Sequence, residues 1–85
     1  MVKGEAIRNA LVAIEKLAGE RSKDVEAFLD PETRARVRSV RPRDLYPTEL
    51  LGEIHRAVQQ TLGQGELSWN YRVGVEAARM DFPGV

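Results

Sequence analysis

Leu50, Leu51, Ile54, Ala57, Val58, Thr61 and Leu62 recur at the spacing that gathers them on one side of a helix. Pro47 stands where a first helical residue is pre-set, and Gly63 and Gly65 close the run. A stripe this clean must be covered, and the rest of the chain offers other helices to cover it. Ile7, Ala10, Leu11, Ile14, Leu17 and Ala18 repeat the pattern and predict a helix from about Lys3 to Ala18, with Arg8, Glu15 and Lys16 off the stripe. Gly19 follows, where a left-handed residue just past the helix end is wanted.

The segment after Gly19 is less regular. Ser22 is a candidate cap for a short helix carrying Val25, Phe28 and Leu29. Asp30-Pro31-Glu32 then reads as a fresh helix start, with Asp as cap, Pro at the first position and Glu facing the helix dipole. That helix is expected to run to about Val40, with Ala35 and Val37 its few apolar groups, and to stop at Pro42. Arg43 to Tyr46 is expected as an irregular connection. The last helix is predicted from about Glu66 to Arg79, with Leu67, Tyr71, Gly74, Val75 and Ala78 on one face. Gly74 and Ala78 either admit close approach of a second helix or simply weaken this one. No segment alternates with period two. The fold class is therefore all-α, a small bundle of four principal helical segments.

Eighty-five residues make one small domain, which buries roughly 60–65% of its unfolded surface. With no cysteine there is no disulfide, thiolate nucleophile or zinc-thiolate centre, so stability must come from helix packing, a partner or further chain. Cysteine-free composition fits a reducing cytoplasm, the expected location. No stretch approaches the ~20 apolar residues of a membrane span. Net charge is zero but unevenly spread. Residues 31–46 carry five basic and two acidic groups, while the flanking parts are slightly acidic. A nucleic-acid binder of the usual kind is basic overall, so any anion site here must be local.

His55 is the only histidine and lies beside the apolar stripe, so neither a metal site nor a catalytic base has its usual partners. Ser22, Ser39 and Ser68 lie outside any nucleophile-elbow pattern, and GQGE at 63–66 lacks the length and ending of a phosphate loop. No cofactor and no enzyme activity are expected.

Five arginines, Arg34, Arg36, Arg38, Arg41 and Arg43, crowd ten residues, and on one helix Arg34, Arg38 and Arg41 would share a face. Guanidinium forks bind carboxylate and phosphate, so the strip is a candidate contact for an anion or acidic partner. Three readings stand open: a solvated rim paired with nearby acids, a site for an acidic protein or membrane surface, and nucleic-acid contact. Only Tyr46 is near to stack on a base. Trp69 and Tyr71 at the start of the last helix, with Phe82 beyond its end, are candidate interface residues; Trp69 can equally cover the end of the core.

The stretch DLYPTELLGEIHRAVQQTLGQGE, with MVKGEAIRNAL before it and GVEAARMDFPGV after it, resembles a myxobacteria-restricted family of uncharacterised proteins, defined only as a domain of unknown function. More distantly, Val-Lys-Gly and the Tyr-Pro helix are similar to the helical half of heme–nitric-oxide-binding sensor domains. Members of both run to about twice this length. The resemblance therefore implies either a stand-alone helical half or the N-terminal half of a longer domain. The sensors' iron-binding histidine lies in the part beyond this chain, so His55 does not match it and no heme ligand carries over. The leading expectation is a non-catalytic protein-interaction or regulatory module that self-associates through an apolar groove between the first, third and last helices. The alternatives are a nucleic-acid-binding module led by the Arg34–Arg43 strip and a degenerate heme or small-ligand sensor.

Overall fold

A computed structural model describes residues 1–81. Strand β1 (Val2–Lys3) leads into α1 (Gly4–Ala18), a 3-10 turn (Gly19–Arg21), α2 (Ser22–Phe28) and α3 (Pro31–Arg38). Strand β2 (Leu45–Tyr46), α4 (Thr48–Thr61) and α5 (Ser68–Asp81) follow. The class is all-α, and the second helical segment divides at Asp30-Pro31 as its capping chemistry predicts. Asp30 accepts from the Thr33 backbone N–H at 2.9 Å and from the Thr33 hydroxyl at 2.9 Å, satisfying a donor that the helix start leaves unpaired. Those bonds hold the Asp30 carboxyl below its ordinary range, the Thr33 backbone bond most of all.

The core lies where α1, α4 and α5 meet, closed at one end by α2 and α3. Ile7, Ala13 and Ile14 of α1 pack with Val25, Leu29 and Val37, with Leu50, Ile54, Ala57, Val58 and Leu62, and with Val73 of α5. Ile7, Ile54, Val58 and Val73 are wholly buried. Each such side chain contributes roughly 1.5–3 kcal/mol relative to an exposed position.

Expectations for three segments are corrected. Ser22 makes no side-chain cap, and Phe28 is about half exposed, because α2 ends there and turns only Val25 and the following Leu29 inward. Helix α3 ends at Arg38, so Arg41 lies beyond it, and Ala35 faces out. The expected irregular stretch before Pro47 contains β2, which pairs antiparallel with β1, Val2 opposite Tyr46 and Lys3 opposite Leu45. A two-residue strand is too short to leave a period-two signal.

That small sheet belongs to a clasp at the start of α1. The first N–H groups of a helix have no partner within it. Here Gly4 donates to the Asp44 carbonyl at 2.8 Å and Glu5 to the Pro42 carbonyl at 3.0 Å. The Arg41 N–H donates to the Tyr46 hydroxyl at 2.7 Å, and the Arg41 carbonyl accepts from the Asp44 N–H at 3.1 Å. Backbone contacts replace the absent side-chain cap. They require glycine at position 4, since a Cβ there would strike the Arg41 carbonyl oxygen and crowd the Tyr46 ring.

Candidate functional site

Helix α5 has two apolar faces, and the structure buries the one opposite to expectation. At roughly 100° per residue, Leu67, Tyr71, Gly74 and Ala78 fall within an arc of about 60°. Trp69, Val73, Glu76, Ala77 and Met80 gather on the opposite side. The second set packs inward: Val73 is wholly buried, and Trp69, Ala77 and Met80 lie against the core. The first set faces out, with Tyr71 75%, Leu67 63% and Val75 39% exposed. Position 74 has open space around it, so among the described residues no other helix approaches Gly74 closely. The region where α1, α4 and α5 meet, expected as an open groove, is accordingly filled core.

The inward choice has a physical reason. The inner set places the bulky Trp69 and Met80 against the core, and Glu76 finds cations at the edge of the buried face. Its carboxylate meets the Lys16 ammonium of α1 at 2.6 Å and the Arg79 guanidinium at 3.4 Å, with the Glu76 side chain only 9% exposed. The hydrogen bond from Lys16 lowers the Glu76 pKa against the opposing pull of burial, and the charges of Lys16 and Arg79 add to the lowering. Periodicity marks both faces of α5; the buried Glu76, a charged residue among apolar ones, hides the inner one from a hydrophobic count.

Trp69 is half-buried, and the Arg72 guanidinium lies over its ring, 4.3 Å from the centroid. It covers the end of the core and leaves Tyr71 as the exposed aromatic of the pair. Phe82 lies outside the described residues. A shallow depression of about 210 Å³ runs beside the outer stripe, lined by Leu17, Tyr71, Arg72, Val75, Glu76 and Arg79.

The arginines divide by role. Arg34 is structural: its Nε donates to the Glu26 carbonyl at 3.0 Å, and a terminal nitrogen reaches the carbonyls of Leu29 at 3.0 Å and Ala27 at 3.4 Å. One planar fork thus closes the C-terminus of α2. Arg38 pairs with the Glu26 carboxylate at 3.0 Å. Arg36, Arg41 and Arg43 are exposed, and among the described residues none forms an ion pair. Arg41 serves the clasp through its backbone.

Arg8 is the functional candidate the sequence pattern missed. It lies on α1, far from the strip in sequence, yet faces it across a surface depression. Its only sequence signal was a cation off the apolar stripe.

His55 is half-buried beside the junction of α4 and α5, where the Asn70 amide donates to the His55 backbone carbonyl at 2.6 Å. Burial pushes the imidazole pKa below its ordinary 6.5. Among the described residues, no three His, Cys, Asp or Glu side chains gather in a way that could hold a metal ion. No helix among them is long and apolar enough to cross a membrane.

No protein-family model, no curated protein and no solved structure matches the chain.

Proposed function

We propose that this chain is a non-catalytic interaction module that self-associates through the outer face of α5. The supporting observation is the exposed stripe of Leu67, Tyr71, Gly74, Val75 and Ala78, opposite a face already committed to the core. Exposed apolar patches on small domains mark contact surfaces, and an aromatic at their centre is a common anchor. A second copy is the favoured occupant. The centre of the stripe carries no charge, so two copies can meet there without opposing like charges, and the same patch serves both partners of a two-fold pair. Gly74 and Ala78 permit close approach of the helices. The depression beside Tyr71 can seat a side chain from the facing copy. A second copy also supplies the stabilisation that a small, cysteine-free core lacks. The absence of cysteine supports a cytoplasmic setting.

Sedimentation velocity over a range of concentrations tests the proposal. The wild-type chain is expected to form a dimer, and Tyr71→Glu is expected to yield a folded monomer. A wild-type chain that stays monomeric at millimolar concentration rejects it, as does a dimer indifferent to Tyr71→Glu and Leu67→Glu.

A further inference from the structure

On the other side of α1 lie two shallow depressions of about 380 Å³ each that share Arg8 and Val12. The first runs along α3 and adds Leu11, Val37, Arg38 and Val40. The second runs toward the clasp and adds Glu5, Asn9, Pro42 and Arg43. The two depressions adjoin along Arg8 and Val12, the latter 49% exposed, as the two halves of a groove. Among the described residues, three guanidiniums, from Arg8, Arg38 and Arg43, stand against the single lining carboxylate of Glu5. Arg38 is engaged with Glu26, whereas among the described residues Arg8 and Arg43 form no ion pair.

The geometry points to this groove as a docking site for an acidic amphipathic protein segment, whose apolar side chains cover Val12 and whose carboxylates meet Arg8 and Arg43. Charge selects the occupant. Guanidiniums rimming an apolar floor match a segment that carries both apolar groups and carboxylates. A nucleic acid would meet cations without a stacking platform, because the apolar lining is Leu11, Val12, Val37, Val40 and Pro42, with no aromatic ring among the described residues. This site is independent of the outer face of α5.

Fluorescence anisotropy with a labelled helical probe of glutamates and leucines, the leucines spaced i, i+3, i+4, i+7, tests the assignment. The probe is expected to bind, and its affinity to fall about tenfold or more when low salt is raised to several hundred millimolar. Arg8→Glu with Arg43→Glu is expected to weaken binding by about tenfold or more, and Val12→Asn by about threefold. Arg36→Glu, exposed on α3 outside the groove, should stay within about twofold of wild type. Circular dichroism establishes that each variant is folded. Repeating the titration in the Tyr71→Glu background separates this site from self-association, since groove binding is expected to persist there. Absence of probe binding overturns the assignment. So does equal binding of a probe whose leucines are replaced by glutamine, or an oligonucleotide that binds through Arg8 and Arg43 while the peptide does not.

Discussion

Helices α4 and α5 are of equal length and lie side by side, but they use their apolar residues differently. In α4 a single stripe, Leu50, Ile54, Ala57 and Val58, goes wholly into the core, and Gly52, Glu53, Arg56 and Gln60 face out. In α5 two stripes lie back to back, and only the one containing Glu76 is covered. Periodicity locates a face; what packs against it decides whether that face is inside. A helix with one stripe has its orientation determined by hydrophobic burial alone. A helix with two is oriented by which side brings bulk and where its charge finds a partner.

Substitutions along the two helices sharpen this contrast. Ile54→Ala is expected to cost about 2–5 kcal/mol in urea unfolding, the range for a large aliphatic residue removed from a packed site. A cost near zero would mean that the α4 stripe is not the centre of the core. Acid titration probes the inner face of α5. The Glu76 pKa is lower in the folded chain than its ordinary 4.5, so its stabilising contribution is present above that pH and is lost as the pH falls through the lowered native value. His55 acts in the same direction, because its native pKa lies below 6.5 and the unfolded chain takes up the proton first. Stability is therefore expected to decline from about pH 6.5 downward, with a steeper limb below 4.5 that Glu76→Gln flattens. An unchanged limb in that variant would remove Glu76 from the account. The smallest effect belongs to the outer face: measured below the association threshold, Tyr71→Ser should change stability by no more than about 0.5 kcal/mol. A loss of several kcal/mol there would break the comparison by making the outer face part of the fold.

Much of the architecture was legible because it rests on local rules. Asp30-Pro31 started a helix through a bond within its own turn. Gly19 ended one with the positive φ a glycine permits, 58°, although its ψ of -126° falls outside the left-handed helical conformation expected there. The α4 stripe was read correctly because every apolar residue on it points the same way. What was not legible depends on distant partners. The clasp joins residues 2–5 to residues 41–46 and consists largely of main-chain bonds, which leave no side-chain pattern. Arg34 looked like the other arginines of its strip, and only the nearby end of α2 gives it a structural task. Arg8 joins Arg38 and Arg43 because α1 passes beside α3, a placement that helical periodicity does not encode. Trp69 and Tyr71, two residues apart, go to opposite fates because a helix turns them to different sides.

The clasp also ties the start of α1 to the groove along its first turns. Pro42 contributes one carbonyl to the start of α1 and one wall to the groove at Arg43. Opening the clasp releases the amides of Gly4 and Glu5 and, in the same motion, takes away that wall. By reciprocity, an occupant whose binding depends on that wall is expected to hold the clasp shut and slow deuterium uptake at those two amides. Two short extended residues at the beginning of the chain thereby become a latch on a surface they never touch.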